Sequence, residues 1–562
     1  MRRRLFLGTT AAALVMPAIA CGKRANTLRF VPQSDVTALD PHLSTTYVTR
    51  NHALLIFDTL YGFGPDYKTT PQMAGGHVIE DDGKRRTIRL PDGLKFHDGE
   101  QVLARDCVAS IKRWWQRDAI GTALRDYTDD LSAKDDRTIV FRLRKPFPLL
   151  DLVLGKSSIP VAAMMPERLA LKDVSKQIAE MVGSGPYRWK ADERAVGARA
   201  VYERNCDYVP CSGGRAGWIA GPKVAHFDRV EWIVILDEST AASALRTGEV
   251  DWWEWASAHL IPALKKSEKL VVEIKEPTGM VGHLRRNHKQ PPFDNPAIRR
   301  AVQAAVKQDD YVQAMVGDDP AMGRGGVGLF TPGSALASTV DMDVYNAPRD
   351  PAKIREMVKA AGYSGEKVVL IGATDVSFRR AMAEVTLGML RDAAFNAEFQ
   401  ALDWGAMTQR RENKGPIDKG GWNIAPANTG GIDLINPSGH AYRANGDKVW
   451  FGWPVSEKIE AFRTAWIDAP DLAAQRKIAD EMQHQWFIYR RADGKNRAVE
   501  AADRASVGFD GFAAGVRGVL ECQAFGLRIG ENDATQRHHS RSAPSRRYRR
   551  AHARRPGTRA NC

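Results

Sequence analysis

Residues 323–328 read Gly-Arg-Gly-Gly-Val-Gly, the one G-x-G-x-x-G spacing in the chain that could cradle a dinucleotide pyrophosphate. Such a loop works only between a strand and a helix N-terminus. LFTPGS follows it instead, so these glycines read as a flexible loop. Cys206 and Cys211 enclose four residues. That spacing is open to a small disulfide, to two free thiols, or to half of a zinc site. No second Cys or His pair accompanies them, and His97, His259, His283 and His288 are scattered without ligand spacing. No metal is therefore expected. H-E-x-x-H, G-x-S-x-G and G-x-x-x-x-G-K-[ST] do not occur, and no two carboxylates are paired by spacing for acid–base work. The reading at this level is no cofactor and no enzyme.

A second chemistry to weigh is phosphate binding by the arginine-rich end. Residues 489–562 carry a net charge of +9 and residues 1–20 carry +3, which leaves only +2 of the total +14 for everything between. A near-neutral body gives little reason to expect nucleic acid as a partner. The first twenty residues, MRRRLFLGTTAAALVMPAIA, have three arginines, a short apolar run and Ala18-Ile19-Ala20. They read as an export signal of twin-arginine-like type, with Cys21 behind it as a possible lipid anchor. The run is too short, and too interrupted by Pro17, to span a membrane. The segment 489–562 is poor in periodic apolar residues after Phe525 and reads as a disordered or frameshifted tail.

Binding residues need a scaffold to position them. The 562 residues, 43% hydrophobic and 26% charged, can support two or three packed domains. TLRFVPQ (27–33) and TIRLP (87–91) alternate as strands, and VEWIVIL (230–236) reads as a buried one. ARDCVASIKRWWQRD (104–118) has helical spacing with Val108, Ile111 and Trp115 on one face. ESTAASALRT ends at Gly248, a helix stop, and VVLIGA followed by FRRAMAEVTLGMLRDAA is a strand-to-helix step of wound α/β domains. No repeat or low-complexity linker separates these pieces.

Seven phrases then stand in a fixed order: ALDPHLSTTYVTRNHALLIFDTLYGF, IRLPDGLKFHDGEQVLARDCVASIKRW, GSGPYRW, ERNCDY, ALRTGEVDWW, RRNHKQPPFDNPAIRRAVQAAVKQDDYV and AAQRKIADEMQHQWFI. In that order, over residues 27 to about 487, the chain resembles the peptide/nickel (family 5) solute-binding proteins of ABC importers. Each phrase also has a plain scaffold reading: Asp98-Gly99 as a turn, Asn295-Pro296 as a helix start.

The resemblance implies an α/β, periplasmic-binding-protein-like fold, class II and of the large type, with two lobes around a ligand cleft. Residues 27–277 would form the first lobe, with a subdomain inserted at about 61–185, and residues 278–488 the second. After Ile488 the composition departs from the family, so the tail is expected to supply no closing strand to the first lobe. The implied function is an extracytoplasmic, monomeric component that binds a peptide or peptide-like molecule. It would deliver this ligand to an inner-membrane ABC permease, from the periplasm or the outer face of the membrane. A binder of a non-peptide cation or metal chelate is the alternative within the family. An exported α/β hydrolase is the alternative from another class, and it lacks its nucleophile elbow here.

Dipeptide binders of this family carry a W-G followed by a G-W-x-x-D in the second lobe. The Asp holds the peptide amine, and an upstream Arg holds its carboxylate. Trp404-Gly405 and Gly421-Trp422 match, but Ala425 replaces the Asp and Asp375, in GATDVSF, replaces the Arg. Asp433 in GGIDLINP is the nearest acidic substitute, with Asn436 beside it. The implied ligand-binding set is thus Trp404, Trp422, Asp433, Asp375 and Asn436. It implies a ligand with a positive or amide-rich end and no carboxylate near Asp375, stacked between the two indoles. Core packing for the two tryptophans and a turn role for Asp433 stay open.

Overall fold

The computed structural model describes residues 26–214, 216–346, 348–487, 506–509 and 514–518. Its first sheet grows around Thr27–Val31, whose alternation turns Leu28 and Phe30 into the core. This strand pairs in parallel with Arg229–Ile233 on one side and Trp252–Trp253 on the other. Parallel neighbours require a crossover, and helix Glu238–Thr247 provides it. The Asp237 side chain caps its start by accepting from Thr240 N at 2.7 Å, and Gly248 stops it at φ 79°. Arg199–Arg204 and Tyr187–Trp189 extend the sheet antiparallel.

The second sheet repeats the logic. Lys367–Ala373 and Asn396–Leu402 lie parallel, joined by helix Ser377–Asp392, and Ile424–Gly430 and Met280–Arg286 follow. A separate antiparallel sheet, His77–Glu80, Arg85–Arg89, Thr138–Leu143 and Thr128–Asp135, packs against helix Ala104–Trp114. Cys107, Ile111 and Trp114 of that helix are fully buried. One apolar cluster runs from this region to Ile459, Trp466, Met482 and Trp486 in helices Glu457–Asp468 and Leu472–Phe487. Tyr127 Oη donates to Asp468 at 2.6 Å along the same contact.

Three of the quoted phrases meet at one point. His97 N donates to Gly183 O at 2.8 Å, the His97 ring lies 3.0 Å from Gly185 O, and Gly185 N donates to Ile56 O at 2.7 Å. A Cβ on Gly183 would sit 2.2 Å from Ile56 O, so only glycine lets the backbones approach. These motifs therefore hold the scaffold together.

One expectation is corrected. The tail does contribute strands: Ser506–Phe509 pairs antiparallel with Met280–Arg286, and Ala514–Gly518 lies between Leu270–Ile274 and Trp252–Trp253. Composition misled because a strand forms through its backbone. The edges of both sheets present unpaired N–H and C=O groups that a short extended segment satisfies whatever its apolar content. Of the alternatives at Cys206 and Cys211, the structure has free thiols, one exposed and one part-buried. The expected export signal, Cys21 and the remainder of residues 489–562 lie outside the described residues. No described helix is long and apolar enough to cross a membrane.

Candidate functional site

Between the two lobes lies a narrow, partly open cavity of about 60 Å³. Gln33, Ser34, Tyr47 and Ile159 line it from one side, and Arg379, Trp404, Arg411, Asn428, Asp433 and Trp450 from the other. Tyr47, the first residue of helix Tyr47–Ile56, crosses between the lobes. Its hydroxyl donates to Asp433 Oδ2 and accepts from Gly430 N at 2.5 Å. Beyond Tyr47 and Gln33 a second, roomier chamber of about 140 Å³ opens, walled by Trp218, Trp252 and Trp255 with Glu254 and Arg50.

Local chain chemistry sets each wall. The Asp403 side chain accepts from Ala406 N at 2.8 Å and starts helix Trp404–Arg410, which puts Trp404 at the cavity edge and Arg411 at the helix end. Arg379 sits on the buried face of helix Ser377–Asp392. Its guanidinium stacks 3.8 Å from the Trp404 ring centroid, and its Nε donates to Asn428 Oδ1 at 3.2 Å. Arg411 packs over Phe451 at 4.4 Å, with Trp450 and Trp404 further out at 5.4 and 5.6 Å. Burial lowers both guanidinium groups to about 10; Asp375 opposes this at Arg379 and Glu412 at Arg411, while Arg411 adds to it at Arg379 and Arg285 at Arg411. Burial raises the Asp433 carboxyl, opposed by Arg50 and by the Tyr47 hydrogen bond. Burial likewise takes His440, also in the lining, down to about 4, so it is neutral at neutral pH.

The sequence-derived residues separate here. Trp404 and Asp433 line the main cavity. Trp422 is placed elsewhere: it is fully buried against Phe451 and Trp453, and its Nε1 donates to Arg411 O at 3.0 Å. It fixes the backbone that carries Arg411, so the expected stacking between two indoles is corrected. Asp375 is exposed and accepts from Trp404 N at 3.1 Å, a second acidic group at that helix start rather than a cleft residue. Asn436 lines a smaller neighbouring pocket and accepts from Ser438 N at 3.0 Å. Sequence reasoning missed Tyr47, Arg379, Arg411 and Trp450. Arg379 did leave a trace, since it falls three and four residues before Met382 and Ala383 on an otherwise apolar face.

Two α/β lobes joined around a cavity that both of them wall define a solute-binding protein. The family model described as bacterial extracellular solute-binding proteins, family 5 Middle, matches residues 68–446. This chain belongs to that family. It is 33% identical over 506 residues to a probable peptide ABC transporter periplasmic-binding protein, y4tO, of Sinorhizobium fredii, covering 87% of this chain and 92% of the relative. To the glutathione-binding protein GsiB of Pectobacterium atrosepticum it is 28% identical, covering 87% and 89%. Among solved structures, AgaA of A. tumefaciens R10 in complex with agropinic acid shares the fold. Its TM-score is 0.72 at 20% identity, covering 90% of this chain and 99% of that one.

Proposed function

We propose that this protein is the extracytoplasmic component of an ABC importer, and that it binds a peptide or peptide-like small molecule and presents it to an inner-membrane permease. The observation that carries this reading is the cavity shared by both lobes and bridged by Tyr47 and Asp433. A ligand between two lobes stabilises their closed arrangement, which is the form a permease can distinguish from the empty one. The work is binding and closure, not bond making, and a monomer in the periplasm suffices for it. A bare cation is disfavoured as ligand because two buried arginines wall the cavity. The peptide name of the 33%-identical relative supports the ligand class. Thermal shift with di- and tripeptides, sugars and metal chelates tests the reading: peptides should raise the melting temperature by mass action. A clear shift from a sugar with none from any peptide would overturn it.

A further inference from the structure

The charges that face the main cavity do not balance. Arg379 and Arg411 are each only 6% exposed. The only hydrogen bond from the Arg379 side chain is the one to Asn428, and among the described residues it forms no ion pair. The Arg411 side chain donates no hydrogen bond among the described residues. Its Nε makes no hydrogen bond, and it pairs at 3.7 Å only with the exposed Glu412. Buried guanidinium groups whose carboxylate neighbours, Asp375 and Glu412, are both exposed are costly unless something inside the cavity adds countercharge. Among the described residues Asp433 is the one carboxylate in the lining, and Tyr47 occupies its Oδ2 while its Oδ1 has no hydrogen-bond partner there. The rings of Trp404 and Phe451 hold the two guanidinium planes in place, a preorganised fork for carboxylate oxygens.

We propose that the ligand is a net-anionic, peptide-like compound: a surplus carboxylate sits between Arg379 and Arg411, and an N–H donor points at Asp433 Oδ1. This rests on the function proposed above. It also places the anion anchor on the helix Ser377–Asp392 and the end of Trp404–Arg410 rather than at Asp375 itself, the position where dipeptide binders carry their arginine.

Calorimetry at low salt with two isosteric tripeptides, Ala-Glu-Ala and Ala-Gln-Ala, tests it, with agropinic acid as a non-peptide acid. Ala-Glu-Ala should bind at least about tenfold tighter than Ala-Gln-Ala, and added salt should erode the difference. Arg411→Gln and, independently, Arg379→Gln should collapse that preference while leaving Ala-Gln-Ala binding in place. Equal affinity of the two tripeptides for the wild type would overturn the anion assignment and leave the peptide reading standing. Binding of agropinic acid alone, lost in both variants, would remove the peptide reading and keep the anion anchor. Binding by none of the three, with a neutral sugar taken up instead, would remove both.

Discussion

Trp404 and Trp422 are the same residue type in matching motifs, yet they do different work. Trp422 has no exposed surface and braces the Arg411 backbone, so Trp422→Ala should cost about 3–5 kcal/mol of stability in denaturant titration. Trp404→Ala should leave stability nearly unchanged but weaken ligand binding, because it removes the ring under Arg379. At Asp433 the sign of a pH effect follows from burial. Its folded-state carboxyl titrates above its ordinary value of 3.8, so its contribution is complete below that pH and is lost as pH rises through the folded value. Asp433→Asn has no such loss. Ligand-free variant and wild type should therefore diverge above about pH 4, the variant becoming relatively more stable, as urea midpoints across pH would record. Of the cavity lining, two residues were legible: motif position carried Trp404, and the nearest acidic loop carried Asp433. The arginines were not legible: a buried charge violates the composition rule by which a surface arginine is told from a binding one.

Among the elements, caps and turns were legible and sheet closure was not. Gly248 stops its helix at φ 79°, and Asn295 starts the next lobe's helix by accepting from Ala297 N at 2.8 Å, both readable from residue type alone. The strands Ser506–Phe509 and Ala514–Gly518 carried no such signal, since their role is set by the open edges they fill. Deleting residues from 489 onward removes five paired positions beside Leu270–Ile274 and four beside Met280–Arg286. At about 0.5–1.5 kcal/mol net per hydrogen bond, the truncated protein should melt at least about 5 °C lower. An unchanged melting curve would show that neither sheet depends on these strands.

Across the whole molecule, neutral histidines in the interior set an acid limit. Burial lowers His42 and His97 to about 4, His52 to about 3 and His440 to about 4. The unfolded chain takes up protons on these rings near 6.5 while the folded one does not. Their stabilisation is therefore complete above pH 6.5 and is lost as pH falls toward 4, each adding up to about 1.4 kcal/mol per pH unit to the slope. Guanidinium midpoints should drop steeply between pH 7 and pH 5. Replacing His52, whose ring contacts Tyr202 Oη at 2.9 Å, by Gln should flatten that slope.

The place of Ala514–Gly518 in the first sheet has a consequence for how the molecule comes into being. Trp252–Trp253 and Leu270–Ile274 are made halfway through synthesis, but the strand that joins them arrives almost 250 residues later. Until it does, the first lobe is a sheet with a gap one strand in from its edge, and Leu270–Ile274 has no neighbour on it until a distant partner is found. The first lobe must therefore stay incompletely folded until nearly all of the chain is made, which leaves its unpaired strands exposed to wrong partners for longer than in a lobe closed by local strands.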